Sequence, residues 1–164
     1  MPVVRWFDRS FAIVRRHLLL TAIVTVVALW WGVPTARKAY YDGKVRSMCA
    51  QDGGIKVHEQ VRLPAERFDK WGGVRIPLAT NAKASDEFVM SLDTKYYKSP
   101  TTISGLAMWR DHYRIMRRGD SKILGELILY ARRGGDPIGP WESSWYACPE
   151  SQSDQTLIRS VLVP

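Results

Sequence analysis

The side chains best equipped for chemistry in this 164-residue chain are two cysteines, Cys49 and Cys148, and three histidines, His17, His58 and His112. A cysteine nucleophile needs a neighbouring base to draw off the thiol proton. His58 and His112 could serve, but each stands alone in a strand-like run, the usual setting of an exposed or hydrogen-bonded polar residue. A structural zinc site takes four Cys or His ligands at close spacing. Here no C-x-x-C or H-x-x-x-H unit occurs, and His17 abuts an apolar run. Lipidation does not suit Cys49, which follows "KVRSM" rather than an apolar signal. What remains is a bridge between Cys49 and Cys148. It would close a loop of roughly a hundred residues and place the domain in an oxidising compartment. Its rival is a pair of buried free thiols in a cytosolic domain.

The carboxylates Asp52, Glu59, Asp136 and Glu142 are the pool from which a hydrolase acting on glycan or lipid would draw an acid pair facing across a cleft. Nothing in their spacing pairs them. The glycine pairs 53–54, 72–73 and 134–135 match neither a P-loop nor a dinucleotide fingerprint and read as turns. A basic-aromatic set remains: Arg110, Arg117, Arg118, Arg132 and Arg133 beside Trp109, Trp141 and Trp145. It could bind an anionic or protein partner, or form a stacked surface ladder. No cofactor or metal is implied, and no nucleic-acid-binding signature accompanies the net charge of +8.

These residues need a scaffold, and the composition, 46% hydrophobic and 24% charged, is that of a folded chain. Residues 18–33, "LLLTAIVTVVALWWGV", carry no charge, and the uncharged run reaches residue 36. Crossing a hydrocarbon core takes ~20 residues. Arg15, Arg16 and His17 flank one end, and Trp30 and Trp31 stand near the other, where indoles favour the membrane interface. "WWGVPTA" puts bulky rings and a proline where a signal peptidase wants small residues, so the run reads as an uncleaved anchor. Residues 1–17 hold +3 of the +8 and form a cytoplasmic basic segment. Val3, Trp6, Phe7, Phe11 and Val14 within it share one face of a short amphipathic helix or of an extension of the membrane helix. Four arginines before the span balance Arg37, Lys38, Lys44 and Arg46 after it. Orientation therefore rests on the disulfide, not on charge.

Residues 37–48 read as a linker, helical with a break at Gly43, and 49–164 as a periplasmic β-rich domain. "IKVHEQVRL" (55–63) alternates as one half-buried strand spoiled only by Glu59. Residues 74–78 suit a short edge strand containing Pro77. "EFVMSL" and "TKYYKS" suit strands on either side of Asp93. The clearest hairpin pairs 106–117 with 123–132 about a turn at Gly119-Asp120 that asks for positive φ. For "ILGELILYARR" a helix is the rival, and Gly125 weighs against it. "SSWYACP" is a short strand, and "QTLIRSVLV" a strand or a helix. The fold class is mainly β, a small antiparallel sheet behind an N-terminal transmembrane α-helix.

The segments "MCAQDGGIKVHEQVRLPAERFDKWG", "YRIMRRGDSKILGE" and "YARRGGDPIGPW…CP" together resemble an uncharacterised family of small proteobacterial envelope proteins. The shared pattern runs C-A-x-D-G-G-x-K-V-(Y/H)-E, L-P-x-x-x-F-D-K-W-G, R-R-x-D-x-K-x-L-G-E, R-x-G-G-D and C-P, over most of residues 48–149. His58 stands where the pattern favours Tyr. The resemblance implies an N-terminal signal or anchor, supports pairing of Cys49 with Cys148, and implies no reaction, substrate or cofactor. The expectation is a single-pass bacterial inner-membrane protein with a non-enzymatic periplasmic binding or assembly module. Its partners would be membrane lipid and an envelope protein. The alternatives are an envelope hydrolase and an immunity or phage-defence protein that binds one target.

Overall fold

The computed structural model describes residues 3–164 apart from 102–104, 138 and 141, with side chains from residue 17 onward. One helix, α1 (Val3–Asp52), runs unbroken through the apolar run and on into the domain. At 1.5 Å per residue its 50 residues extend about 75 Å. The stretch from His17 is long and apolar enough to cross a membrane, and its apolar window is not buried by the rest of the protein. Inside it the threonines turn their polarity inward. Thr21 Oγ1 donates to His17 O and Thr25 Oγ1 to Thr21 O, each at 2.8 Å, which spares an apolar solvent from unsatisfied hydroxyls. The helical backbone covers 3–16, but the apolar face expected there lies outside the described side chains.

Residues 37–48 are helix, as expected, but Gly43 does not break it. The reason is packing. Tyr41, Val45, Met48 and Cys49 recur at helical spacing and seat on Met108, Ile128 and Tyr130. Tertiary burial of such a stripe outweighs the roughly 1 kcal/mol that one glycine costs a helix.

The sheet is small and antiparallel. Its order is β1 (Gly54–Val57), β5 (Lys122–Arg133), β4 (Ala107–Arg117), β3 (Phe88–Lys98), with β6 (Trp145–Cys148) beside β1 on the same edge of β5. The hairpin β4–β5 stands close to the expected bounds, and 123–132 is strand, not helix. β3 passes straight through Asp93 where two strands were expected. Residues 74–78 contribute one isolated bridge, Leu78 to Met90, and no strand. The hairpin turn places positive φ on Ser121 (57°), two residues after Gly119. The Asp120 carboxylate accepts from the Lys122 amide at 3.1 Å there, an Asx-type bond that favours such turns.

The alternating run 55–63 is not one strand. It breaks at residues 58–60 into β1 and β2 (Val61–Arg62), and β2 pairs in parallel with β7 (Leu162–Val163). Glu59 sits at the break. Its carboxylate takes Lys122 Nζ at 2.5 Å and the Arg117 guanidinium, and these two bonds hold it below the usual carboxylate range. The chain at 153–163 is helix and strand in turn: α2 (Asp154–Val161), capped by Ser153 and Thr156, then β7.

The two sheet faces are covered differently. α1 lies on the face of Ile128, Tyr130 and Arg132. On the other face Leu127, Ile115, Met90 and Phe88 pack with Leu157, Ile158 and Val161 of α2 and with Val74 and Ile76. Gly125 sets the closeness of that contact, since a Cβ there would stand 2.5 Å from Val161 Cγ2 and 3.4 Å from Leu157 Cδ1. Gly125→Ala is expected to lower unfolding stability by about 1–3 kcal/mol, the range for overpacking. A lower denaturant midpoint at unchanged slope would check it; an unmoved midpoint would mean α2 yields freely.

Candidate functional site: the helix clamp and the uncovered sheet surfaces

A single stripe of α1 clamps the sheet domain to the helix that precedes it. Lys38 Nζ bonds Asp136 Oδ1 at 2.6 Å. One turn on, Asp42 receives Arg132 Nε at 2.6 Å and Nη2 at 3.3 Å. Arg132 is almost fully buried, and its Nη1 also donates to Gly134 O at 2.8 Å and Ser144 Oγ at 3.1 Å. Cys49 is joined to Cys148 by a disulfide, with Cα atoms 5.9 Å apart. At the helix end Tyr130 OH donates to Asp52 Oδ1 at 2.8 Å; burial and then this carboxylate push the phenol pKa up. Positions 38, 42, 49 and 52 recur at three, four and seven, the signature of one helix face. The helical spacing is legible in the sequence, whereas the partners on β5 and β6 are far along the chain.

Burial pushes the Asp136 carboxyl up, but Lys38 and the Ser144 amide at 2.7 Å outweigh it and hold it below the ordinary range. A depressed carboxylate contributes stability that is present above its unfolded value, ~3.9. That stability is lost as pH falls through the folded value. The Ser144 amide resonance is therefore expected to stay fixed from pH 7 to 5 and to move only below the ordinary Asp midpoint. A midpoint at or above ~3.9 would mean that the tie to Lys38 does not form.

The basic-aromatic set does not converge on one patch. Successive strand residues point to opposite faces, so Trp109 and Arg110 part company, as do Arg132 and Arg133. Arg132 belongs to the clamp. Arg117 bonds Glu59 and, at 3.2 Å, Asp120, while Arg118 donates to Lys83 O. These three arginines are structural. Trp141 lies outside the described residues. Strand parity, available in the sequence, would have separated the rest.

Trp109, Arg133 and Trp145 share the face opposite α1, toward the end of the sheet nearest the apolar helix. Trp145 stands beside Arg133 in register and is 70% exposed. Tyr96, across from Trp109 with ring centroids 6.1 Å apart, is 55% exposed. Trp109 Nε1 donates to Asp111 Oδ2 at 2.9 Å, and Thr94 donates to the other oxygen at 2.6 Å. The Arg133 side chain is exposed and makes no hydrogen bond or ion pair among the described residues. Beyond Leu92 the outer edge of β3 is guarded by Asp93, Lys95, Lys98 and a register shift, devices that discourage strand addition. The face, rather than the edge, is the surface on offer.

On the helix side, beyond the reach of α1, sequence reasoning missed Glu126. His112 Nε2 lies 2.8 Å from one of its oxygens and His58 Nε2 3.5 Å from the other. Burial raises the Glu126 pKa, but the His112 bond and the charges around it win and lower it. Arg110 Nη2 lies 3.3 Å from His112 Nδ1, so the Arg110 proton, the His112 ring and Glu126 form one chain. Ser91 on this face has no hydrogen-bond partner for its Oγ. The nucleophile–base bond of a serine triad is therefore missing. Neither Cys49 nor Cys148 is a free thiol. Three of the four candidate acids are engaged separately, Asp52 with Tyr130, Glu59 with Lys122 and Arg117, and Asp136 with Lys38, while Glu142 is exposed in the loop before β6. Among the described residues, no three His, Cys, Asp or Glu side chains are grouped as metal ligands.

In comparison with known proteins, no family model matches this chain, and neither a curated protein nor a solved structure matches it.

Proposed function

We propose that the protein is a single-pass inner-membrane protein with its N-terminus in the cytoplasm. Its sheet domain would act in the periplasm as a binding or assembly module without enzymatic activity. The observation that carries the reading is the uncovered sheet face bearing Trp145, Tyr96, Trp109 and the free Arg133. Large amphipathic rings and an arginine whose side chain has no partner among the described residues are the residue types that dominate protein interfaces. Two further features support it. The apolar helix is long enough to span a membrane, and the Cys49–Cys148 bond suits an oxidising compartment. The clamp makes α1 and the sheet one unit, so a partner held on this face is held at a set height above the membrane. The envelope hydrolase loses ground because three of its four acids are tied up one by one.

The test is site-specific photocrosslinking of the full-length protein in cells. Crosslinkers at positions 96 and 145 should yield one discrete protein adduct that Arg133→Glu abolishes. Position 71, whose Trp is 73% exposed in a different loop, should not. Adducts from position 71 equal to those from 96 and 145, or none that depend on Arg133, would remove the proposed face.

A further inference from the structure

Where α1 leaves its apolar run, the domain returns alongside it. Residues 105–106 before β4 and 135–137 after β5 stand beside the helix and border with it an open crevice of about 600 Å³. Its helix wall is Leu29, Trp30, Val33 and Arg37, and its domain wall includes Leu106 and Asp136. The domain wall is fixed to the helix. Gly135 adopts φ +85°, and a Cβ there would stand 2.9 Å from Leu106 Cδ1 and 3.5 Å from Lys38 Cγ. The Lys38–Asp136 pair pins the same loop from the other side.

We propose that this crevice is a binding site for one phospholipid of the leaflet on the domain's side, its phosphate on Arg37 and an acyl chain along Leu29, Trp30 and Val33. The inference rests on the membrane-spanning reading of α1. The heights agree. Val33 is the last large apolar side chain before Arg37, which stands four residues above it, about 6 Å along the axis. The headgroup layer of one leaflet is about 5–7 Å thick, so Arg37 lies at phosphate level. Leu29 lies about 6 Å below Val33, within the hydrocarbon. The charges agree as well. Asp136 neutralises Lys38, whereas Arg37 is exposed and has no ion-pair partner among the described residues. An arginine fork suits a phosphate oxygen pair. Trp30, seven residues or about 10 Å below Arg37, adds an indole to the wall along which the acyl chain would lie. A soluble phosphate would satisfy Arg37 alone and leave the Leu29–Val33 wall bare, so the shape selects the lipid.

The experiment compares full-length wild type with Arg37→Gln, Val33→Trp and Lys44→Gln. Lys44 lies farther up the helix over the Tyr40 ring and serves as the charge control. Carbonate extraction of membranes comes first. Native mass spectrometry of the detergent-purified proteins then reads the phospholipid retained under activation that strips loosely held lipid. Wild type and Lys44→Gln should keep one phospholipid. Arg37→Gln should retain it about fivefold less, the factor that one cation near a membrane surface supplies, and Val33→Trp should displace it by filling the crevice. Equal retention by all four proteins, in a chain that resists carbonate, would overturn the lipid site and leave the membrane reading standing. Release of wild type by carbonate would overturn both.

Discussion

Cys148→Ser is expected to lower the unfolding stability of the sheet domain by about 4–5 kcal/mol, the chain-entropy value for a loop of roughly a hundred residues. Cys49 and Cys148 are 99 positions apart, and the loop they close contains every strand of the main sheet. Opening it frees the unfolded chain far more than it harms the native contacts, because Val45, Ile128 and Tyr130 stay packed around the site. Denaturant unfolding of the full-length protein in detergent, with and without reductant, reads the effect. Wild type under reductant should approach the variant. A loss under about 1 kcal/mol would show that the reduced unfolded chain is already compact, so that the bridge removes little of its freedom. Thiol labelling of protein taken directly from cells adds a separate reading. Two labelled cysteines would contradict an oxidising compartment and with it the periplasmic placement.

The second large effect is expected at Asp42. Asp42→Ala removes the only carboxylate bonded to Arg132 among the described residues, and leaves a guanidinium whose side chain is 3% exposed with carbonyl and hydroxyl partners. Breaking a buried pair from one side costs about 3–5 kcal/mol. The lower end applies here, about 3 kcal/mol, because the Asp42 side chain is 24% exposed and water can reach the vacated site. The double variant Asp42→Ala with Arg132→Met should recover most of the loss, since a paired charge and a well-packed apolar side chain are nearly equivalent in such places. If the single variant unfolds like wild type, Arg132 is satisfied by Gly134 and Ser144, and Asp42 does not hold the helix to the sheet.

Much of the scaffold was legible because its signals are local. The uncharged run from residue 18 to 36 needs only its own composition to read as an apolar helix. The β4–β5 hairpin announces itself by two β-rich arms around "RGDSK". The cysteine pair was found by elimination and position. Errors arose where distant residues decide. Glu59 looked like a blemish in a nine-residue strand because Lys122 and Arg117, which hold its carboxylate at a chain break, are more than fifty positions away. The segment after residue 36 was taken for a linker because its partners, Ile128, Tyr130 and Arg132, come from the far side of the hairpin. Arg132 was counted as a surface cation because nothing in "YARRGG" distinguishes it from Arg133; only α1 lying on one face buries the first and leaves the second free.

The sequence by itself determined the membrane-length helix and the β4–β5 hairpin, since apolar length, propensity and turn chemistry act within a few turns of chain. Tertiary structure alone decided which charges became structure and which remained surface. A charge is buried or left in water according to what packs over it, and that is set by α1, α2 and the register of β5 together. For the same reason the free Arg133 and Arg37, on which the proposed partner and lipid depend, could be recognised only after Arg132, Arg117, Arg118 and Lys38 had found their acceptors.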